Sequence, residues 1–353
     1  MTATTTTMIH PAPSPTAPSP TAATQALTMQ AVVASEYGPA SVLRVGTVAR
    51  PAIGEHEVLV RVHAAGLDRG AWHLMTGKPY LMRLMGFGFL RPKNGVLGRE
   101  VAGTVVEVGA KVTRLAPGDA VFGIGEGSFA EYVRAREDKL AKKPASVSFE
   151  QAAVIGISGL TALQALRDAG RLGAGQRVLV IGASGGVGSY AVQIARSMGA
   201  EVTGACRTAK VDLVRSLGAQ HVIDYTQEDL VGGERRYDVI FDAGGNTPAS
   251  RLRRALTPTG VAVLVGGENG GSVTGGVFGR PLWGMVLSLW SRQRFAMFMA
   301  KETHVDLERL GQLLAEGKIT SSIDRVCSLD GVKDAMRDLE AGRVRGKVCV
   351  SVA

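Results

Sequence analysis

The sequence predicts an α/β protein with two domains, one rich in antiparallel strands and one built on a doubly wound parallel sheet. Its 353 residues exceed what most single hydrophobic cores hold together. Residues 29–148 contain short apolar strands separated by glycine and proline, which is typical of a compact β-domain. From Phe149 to about Glu268, near-continuous apolar strands alternate with helix-length segments, which indicates a parallel sheet covered on both faces.

The strands of each region follow in order along the chain. In the β-rich region they are QAVVAS (30–35), HEVLVRVHAAG (56–66), EVAGTVVEVG (100–109), GDAVFGIG (118–125) and FAEYVRA (129–135). In the parallel sheet they are Val178–Ile181, Glu201–Cys206, His221–Tyr225, Tyr237–Asp242 and Gly260–Gly266. From about Thr303, two helices alternate with the strands IDRVCSL (323–329) and KVCVSV (347–352). Periodicity leaves open whether this last region extends the parallel sheet or returns to the β-rich domain.

The net charge of +9 is compatible with an acidic partner such as nucleic acid or a membrane surface. However, the basic residues are scattered, and the densest runs, RLRR (251–254) and RR (235–236), are not interleaved with aromatic residues. We therefore expect the basic residues to lie on a solvated surface or to bind an anionic cofactor, and we expect no nucleic-acid partner.

The N-terminal segment and the cysteines limit the classes of protein to which the chain can belong. Residues 1–28 contain no Asp, Glu, Lys or Arg, and their Thr, Ala, Pro and Ser predict a disordered tail before Met29. This segment lacks the basic and apolar parts of a signal peptide, and no run reaches the roughly 18 to 20 apolar residues of a membrane span. Cys206, Cys327 and Cys349 lie far apart without a C-x-x-C pair, which fits a reducing compartment and a cytoplasmic location.

The most informative motif follows the first strand of the parallel sheet. VLVIGASGGVGSYAVQIARSMGA (178–200) runs from an apolar strand through a glycine-rich turn into an amphipathic helix. It matches the dinucleotide fingerprint G-x-G-x-x-G with Ala183 in the first place and Gly185 and Gly188 in the others. Because the turn joins a strand to a helix in a βαβαβ series, we predict that the helix N-terminus holds a pyrophosphate.

The end of the second parallel strand distinguishes between the two nicotinamide cofactors. A site for NAD carries Asp or Glu there, which accepts a hydrogen bond from the ribose 2′-hydroxyl. The segment TGACRTAK (203–210) instead carries Arg207 and Lys210 and no acid, which favours the 2′-phosphate of NADPH. The alternative is that both cations are only the exposed start of the next helix.

Several motifs together resemble the zinc-independent branch of the medium-chain dehydrogenase/reductase superfamily, and within it the quinone oxidoreductase-like proteins. The resemblance covers essentially the whole chain after Met29. It implies a GroES-like catalytic domain formed by residues 29–150 and 301–353, an inserted Rossmann domain of residues 151–300, and an active site in the cleft between them. The motifs that carry it are VLGREVAGTVVEVGAKVTRLAPGDAVFG (96–123), GSFAEYV (127–133), GLTALQAL (159–166), VLVIGASGGVGSYAVQIARSMGAEV (178–202), LGAQHVIDYT (217–226) and RGKVCV (345–350).

The resemblance also implies the residues that would bind the cofactor. The turn would contact the pyrophosphate, Arg207 and Lys210 the 2′-phosphate, and Tyr225 the adenosine. Thr161 and the end of the fifth strand would border the nicotinamide, and Arg345 would reach the cofactor from the last strand. In chain order the implied positions are Thr161, Ala183, Ser184, Gly185, Gly186, Val187, Gly188, Arg207, Lys210, Tyr225, Val265, Gly266 and Arg345.

Two departures from the zinc-dependent relatives predict a site without metal. Those relatives carry a Gly-His-Glu triplet where this chain has GRE (98–100), and a cysteine in the segment that reads AAGLDRGAWH (64–73) here. The four-cysteine structural zinc lobe is missing as well. A catalytic zinc needs three protein ligands on a fixed frame. The remaining candidates do not restore such a set; they are His63, His73, Glu100 and Asp68.

Without a Lewis acid, the expected chemistry is the reduction of an acceptor that is already electrophilic. The cofactor then delivers hydride, and the protein orients the partners and polarises a carbonyl. The candidate catalytic residues are Asp68, which stands where relatives often have Asn, and Tyr80, whose phenol can donate a proton. An ionised carboxylate cannot donate, so Asp68 has to be protonated, point elsewhere, pair with Arg69 or Arg99, or serve a structural turn.

The sequence thus predicts an NADPH-dependent, metal-free oxidoreductase that transfers hydride to a quinone or an α,β-unsaturated carbonyl. An enoyl-thioester reductase and a weakly catalytic, NADPH-binding interaction protein are the alternatives. The apolar stretch 276–300 fits a core segment, a lid over an apolar substrate or a subunit contact. Relatives commonly pair the outer edge strand of the Rossmann sheet, so a homodimer through the strand near Val261–Val265 is expected.

Overall fold

A computed structural model describes residues 27–81, 83–84, 88–266 and 292–352 of the chain. The strands of these residues form sheets of two, seven and six strands. The strands are β1 (Thr28–Val33), β2 (Arg44–Ala49), β3 (Glu57–Leu67), β4 (Glu100–Val108), β5 (Ala120–Ile124), β6 (Tyr132–Arg136), β7 (Leu140–Lys142), β8 (Arg177–Ile181), β9 (Glu201–Cys206), β10 (His221–Asp224), β11 (Tyr237–Asp242), β12 (Leu256–Leu264), β13 (Arg294–Met297), β14 (Ile323–Cys327) and β15 (Lys347–Ser351). The α-helices are α1 (Arg69–Thr76), α2 (Phe149–Ala153), α3 (Gly156–Gln164), α4 (Gly186–Ser197), α5 (Val211–Ser216), α6 (Ala249–Ala255), α7 (His304–Ala315) and α8 (Val332–Glu340).

The seven-stranded sheet is built around the long strand β3. Its order is β14-β15-β3-β4-β5-β7, and β6 also pairs with β3. β3 is antiparallel to β4, β6 and β15, so the chain's last region returns to the β-rich sheet. Successive side chains of a strand alternate between the two faces of a sheet. Ala65 and Leu67 accordingly pack in the core of the β-rich part, whereas Ala64 faces the helices that join the two sheets.

The six-stranded sheet is parallel throughout and has the order β10-β9-β8-β11-β12-β13. Its central strands are buried on both faces, as the near-continuous apolar runs predict. The expectation that the strand near Val261–Val265 forms the outer edge is wrong, because Val261–Leu264 pair with Arg294–Met297 of β13. β13 is only four residues long and lies within the apolar stretch 276–300, where no sequence pattern distinguishes it as a strand.

Two predictions fall largely outside the described residues. β1 begins at Thr28, and residues 1–26 of the predicted tail are not described. The apolar stretch 276–300 lies outside the described residues as far as position 291. Among the residues that the structure describes, no helix combines the length and the apolar character needed to cross a membrane.

The two larger sheets meet at the glycine-rich turn. Residues of both sheets and of α2, α3 and α4 share one hydrophobic cluster, which includes Ala102 of β4 and Val180 of β8. The backbone N–H of Gly346, just before β15, donates to the carbonyl of Ser184 in the turn at 2.9 Å. The turn between β8 and α4 therefore lies directly against the start of β15.

Candidate active site

The glycine-rich turn leaves β8 at Ile181 and enters α4 at Gly186. Gly182 has a φ of 81°, in the left-handed region that favours glycine. The N–H of Gly185 closes the turn by donating to the carbonyl of Gly182 at 3.0 Å. Gly185 is also the N-cap of α4, and no side chain caps the helix there. The first N–H groups of α4 are thus left for an anion or solvent.

The glycines of the motif have different surroundings. A Cβ on Gly188 would collide with the carbonyl oxygen of Gly182 and lie 2.9 Å from the Cα of Ala183, so only glycine allows α4 to start so close to β8. A Cβ on Gly185 would meet the same carbonyl at 3.4 Å, which is ordinary contact. The space beside Gly185 therefore stays open, and the turn fits a pyrophosphate held by the main chain.

The other residues of the turn anchor it to the neighbouring strands and to the hydrophobic core. Ala183 is fully buried, and its N–H donates to the carbonyl of Ala205 at 3.1 Å. Ser184 is also buried, and its carbonyl is the acceptor for Gly346. Val187 packs against the large hydrophobic cluster. These contacts hold the turn to β9, β15 and the core.

The predicted cations lie together at the end of β9. Nε of Arg207 donates to the hydroxyl of Tyr225 at 3.0 Å. Nζ of Lys210 donates to the carbonyls of Gly342 and Val344 at 3.1 and 2.6 Å. Burial lowers the pKa of Lys210 most, and the charges of Arg207 and Arg345 lower it further, while that of Asp324 raises it. The structure thus brings Arg207, Lys210, Tyr225 and Arg345 into one basic region.

Asp224, the last residue of β10, is an acid in this region that the sequence analysis missed. Its carboxylate accepts hydrogen bonds from the hydroxyls of Thr208 and Thr226, at 2.5 and 2.6 Å, and these bonds hold its pKa below the usual value. The sequence shows this acid directly before Tyr225, at the end of the third parallel strand, but the sequence analysis named only Tyr225 as a cofactor contact. Two threonines thus already engage this carboxylate.

The residues implied for the nicotinamide side, Val265 and Gly266, lie directly after β12 and beside the end of β11. The N–H of Val265 donates to the carbonyl of Asp242 at 3.0 Å, and a Cβ on Gly266 would lie 2.6 Å from the carbonyl oxygen of Ala243. The buried carboxylate of Asp242 accepts from the N–H groups of Gly244 and Gly245 at 3.0 and 2.9 Å. A Cβ on Gly182 would lie 3.3 Å from the N of Gly244, so these strand ends adjoin the glycine-rich turn.

Thr161 has a local hydrogen bond. It lies on α3, and its hydroxyl donates to the carbonyl of Ile157, one turn earlier, at 2.8 Å. The oxygen keeps lone pairs that can accept from a ligand. Its contact with the nicotinamide stays a prediction.

Asp68 combines a structural contact with a free oxygen. Its Oδ1 accepts from the N–H of Ala71 at 2.8 Å and so caps α1. Its Oδ2 is buried without a hydrogen-bond partner, and the residue is only 8% exposed. Arg99, one of the expected partners, instead donates to Glu302 at 2.6 Å. The turn role is thus present, and one oxygen remains available.

Tyr80 lies beyond α1 and is 42% exposed. The guanidinium of Arg83 stands 4.7 Å from the centre of its ring and donates to the carbonyl of Gly77 at 2.9 Å. The ring is therefore held beside Arg83 while the residue as a whole stays partly exposed. Its function as a proton donor stays a prediction.

The sequence analysis missed a buried ionic cluster beside the turn. Nζ of Lys347 contacts Oε2 of Glu100 and donates to the hydroxyl of Ser158 at 3.1 Å. The other oxygen of Glu100 accepts from the N–H groups of Ile157 and Ser158 at 2.8 and 3.3 Å. Glu100 and Lys347 are 0% and 1% exposed. Charged residues directly beside the apolar runs in VLGREVAG and RGKVCV were the only sequence signal.

Burial governs the protonation of this cluster. It raises the pKa of Glu100 to about 7, more than Lys347 and the N–H of Ile157 lower it, and the negative charge of Asp68 raises it as well. Glu100 therefore exchanges a proton near neutral pH.

The donor set does not fit a catalytic zinc. His63 stacks on Phe149 with ring centres 4.3 Å apart, and Nδ1 of His73 lies 2.7 Å from the carbonyl oxygen of Lys78. Glu100 is bound to Lys347, and Arg99 stands in the place of the metal-binding histidine. Within residues 27–81, 83–84, 88–266 and 292–352, no three His, Cys, Asp or Glu side chains are grouped so as to hold a metal.

Comparison with known proteins identifies the families and relatives that this chain resembles. Two family models match the chain, the alcohol dehydrogenase GroES-like domain over residues 54–145 and the zinc-binding dehydrogenase over residues 217–350. The mitochondrial NAD(P)H oxidoreductase RTN4IP1 of Mus musculus is 32% identical over 92% of this chain and 89% of its own. The 2-methylene-furan-3-one reductase of Solanum lycopersicum is 33% identical over 91% of this chain and 79% of its own.

A solved structure agrees over the whole fold. The quinone oxidoreductase from Coxiella burnetii superimposes with a TM-score of 0.82 at 28% identity, covering 93% of this chain and 100% of that one. Together with the sheet topology, this match confirms the predicted α/β fold class with a GroES-like domain and a Rossmann-type parallel sheet.

Proposed function

Because the chain belongs to the medium-chain dehydrogenase/reductase superfamily, in its quinone oxidoreductase-like branch, we propose that it is an NADPH-dependent reductase. It transfers hydride to a quinone or an α,β-unsaturated carbonyl, without a metal. The observation that carries the proposal is the uncapped N-terminus of α4 behind the glycine-rich turn, with Arg207, Lys210 and Arg345 in the adjacent basic region. The names of the mouse, tomato and Coxiella proteins support a nicotinamide cofactor and a conjugated or quinone acceptor.

Different groups of the chain bind different parts of the dinucleotide. The N–H groups at the start of α4 hold the pyrophosphate, and Arg207, Lys210 and Arg345 balance the 2′-phosphate. Tyr225, anchored by Arg207, packs against the adenosine. Thr161, Val265 and Gly266 border the nicotinamide. When bound, this cofactor supplies the hydride.

The acceptor site uses the residues around α1. The free Oδ2 of Asp68 serves as a hydrogen-bond donor to the acceptor's carbonyl when the carboxyl is protonated. The hydroxyl of the partly exposed Tyr80 donates the proton that completes the reduction. The metal-free part of the proposal is supported by Arg99, whose guanidinium binds Glu302 at the place of a zinc-binding histidine.

The proposed activity is tested by stopped-flow measurement of NADPH oxidation with a panel of 1,4-quinones and medium-chain enones. We expect single-turnover oxidation with at least one class, and the same rate after dialysis against a zinc chelator. If NADPH binds tightly but no acceptor is reduced, the reductase proposal is wrong and a cofactor-binding protein remains. Loss of activity on chelation contradicts the metal-free part.

Asp68→Asn is the matched variant for this assay. Asn caps helices about as well as Asp, so the stability of α1 is retained, while Asn donates a hydrogen bond at every pH. We expect turnover to rise, because the amide donates to the acceptor's carbonyl and an ionised carboxylate cannot. An unchanged turnover indicates that Asp68 is only the cap of α1.

The preference for NADPH depends on Arg207. Arg207→Ala removes a charge-assisted contact to the 2′-phosphate and the anchor of Tyr225, so we expect the Kd for NADPH to rise about tenfold while that for NADH changes little. Calorimetric titration with both cofactors measures this. Arg215→Ala is the control, because Arg215 is exposed on α5 and lies 3.8 Å from Asp212. An equal loss for both cofactors contradicts the assignment.

We also propose a cytoplasmic location and a homodimer for this protein. The mouse relative is named as mitochondrial, so the location has to be measured for this chain. In the described part of the chain, β13 occupies the outer edge of the parallel sheet, and dimerisation by strand pairing therefore involves Arg294–Met297 instead of β12.

A further inference from the structure

Asp68, Glu100 and Lys347 lie on one face of the seven-stranded sheet. Gly66 of β3 is the register partner of both Glu100 in β4 and Cys349 in β15. Side chains two residues apart point to the same face, so Asp68 shares the face of Gly66, and Lys347 shares that of Cys349. This face turns toward α2, α3 and the glycine-rich turn. Three charged groups that are distant in sequence therefore converge at the junction of the two sheets.

Gly66 makes room for the ionic pair. A Cβ at this position would collide with Oε2 of Glu100 and with the carbonyl oxygen of Ala153. The carboxylate thus occupies the space that a side chain on β3 would fill, and the ammonium group of Lys347 approaches it there. Because these groups are enclosed, the charges interact strongly with one another and with any charge placed nearby.

The cluster lies directly beneath the phosphate-binding end of α4. A Cβ on Gly186, the first residue of that helix, would lie 3.0 Å from Cδ of Lys347 and 3.4 Å from the hydroxyl of Ser158. The lysine stem and the serine therefore support the N-terminus at which the pyrophosphate is proposed to bind. With all three groups ionised, two carboxylates face one ammonium, and the cluster carries a net negative charge below an anion site.

We propose that Glu100 takes up a proton when a dinucleotide pyrophosphate binds at the glycine-rich turn, so that Glu100 and Lys347 act as positioning residues that couple cofactor binding to pH. The inference rests on the cofactor-binding part of the proposed function. Protonation neutralises the cluster's excess negative charge. Lys347 then faces the pyrophosphate with its charge less compensated, and the anion is held more tightly.

Every group that faces Glu100 is compatible with this exchange. Lys347 and the thiol of Cys349 face it from β15, Asp68 from the start of α1, and the phenol of Tyr190 from α4. Burial raises the pKa of both Tyr190 and Cys349, so these two stay uncharged near pH 7. From α3, the N–H of Ile157 donates to Glu100 and the hydroxyl of Ser158 accepts from Lys347, while Glu150 of α2 raises the pKa of Cys349.

The sign of the effect follows from electrostatics. The pKa of Glu100 is already raised to about 7 by burial, and an anion above the cluster raises it further. The bound state then holds more protons than the free state near neutral pH, so binding takes up a proton and weakens as the pH rises.

Calorimetric titration of the full chain with NADPH in Pipes and in Tris at pH 7.5 tests the proposal. The difference between the buffers gives the number of protons exchanged, and we expect an uptake of about half a proton that disappears in Glu100→Gln. Protons exchanged by the 2′-phosphate itself cancel in this comparison. Glu302→Gln is the matched control, since Glu302 pairs with Arg99 and Lys139 away from the turn, and it should keep the wild-type uptake.

The wild-type protein alone also decides the question, in case Glu100→Gln does not fold. Its uptake should peak between pH 7 and 8 and its Kd should rise several-fold from pH 6.5 to 8.5. Tight binding with no exchange, or with the same exchange in Glu100→Gln, overturns the inference and leaves the proposed function standing. Failure of the wild-type chain to bind any nicotinamide dinucleotide overturns the proposed function itself.

Discussion

Gly185→Ala is expected to keep the fold of the protein and to abolish measurable NADPH binding. Gly185 has a φ of −89°, which alanine adopts readily, and its added Cβ would meet only the carbonyl oxygen of Gly182 at 3.4 Å. The methyl group instead occupies the space in which the pyrophosphate approaches the main chain. We expect a thermal midpoint within a few degrees of the wild type and a Kd at least about a hundredfold higher, from calorimetry.

Gly188→Ala separates the fold from the site. Here the Cβ collides with the carbonyl of Gly182, so α4 has to move away from β8, and we expect both a lower thermal midpoint and lost binding. Gly173→Ala provides the neutral reference, because its Cβ would meet only Gln176, at 3.6 Å, before β8. Normal NADPH affinity in Gly185→Ala contradicts the assignment of the turn as the pyrophosphate site.

The turn could be predicted because its signal is local. A strand, four small residues and a helix follow one another within residues 178–200, and the need for each glycine depends on the geometry of its immediate neighbours. The same holds for the parallel strands, whose apolar runs reflect burial on both faces. The placement of β14 and β15 could not be predicted in this way, because periodicity does not indicate which sheet a terminal strand joins.

The buried cluster could not be predicted, because its members are far apart in the sequence. Glu100 and Lys347 are 247 positions apart, and neither belongs to a motif that demands a charge of the other sign. The sequence analysis considered Glu100 only among residues that do not form a zinc site, and it named Arg345 but not Lys347 among the cofactor contacts. In the structure Arg345 is exposed, and the stem of Lys347, which the sequence analysis did not single out, lies beneath the turn. Sheet register, which only the fold reveals, brings the pair together.

Asp224 and β13 were missed for different reasons. Asp224 follows a strand whose end was interpreted through Tyr225 alone, and its two threonine partners come from separate segments. β13 is short, with only Phe295 strongly buried, and so lacks the apolar run that identified its neighbours. Thr226 is only two residues from Asp224, but Thr208 and the strand partner of β13 lie on segments that the sequence pattern does not place next to them.

Lys347→Met is expected to cost the protein about 3 to 5 kcal/mol of unfolding free energy at pH 8, the largest loss we expect from a single change. Removing one partner of a buried ion pair leaves the other charge without compensation, and Glu100 is fully buried. Urea denaturation at pH 5 and pH 8 measures it. Lys142→Met is the control: its salt bridge to Asp119 is largely exposed, and we expect a change below about 1 kcal/mol.

The pH dependence gives this prediction its sign. The folded-state pKa of Glu100, about 7, lies above its ordinary value of 4.5, so its contribution to stability is fully present below pH 4.5 and is lost as the pH rises through 7. Without Lys347 the carboxyl loses the charge that lowers its pKa, and its ionisation becomes still more costly. Lys347→Met should therefore lose less stability at pH 5 than at pH 8.

The double variant Glu100→Gln/Lys347→Met separates a buried charge from a packing defect. With both charges removed, no uncompensated ion remains, and we expect most of the stability lost in Lys347→Met to return at pH 8. A double variant as unstable as Lys347→Met, with the same loss at both pH values, indicates that the lysine stem under Gly186 matters only for packing. Recovery at pH 8 shows instead that the charge of Glu100, balanced by Lys347, controls the junction beneath the glycine-rich turn.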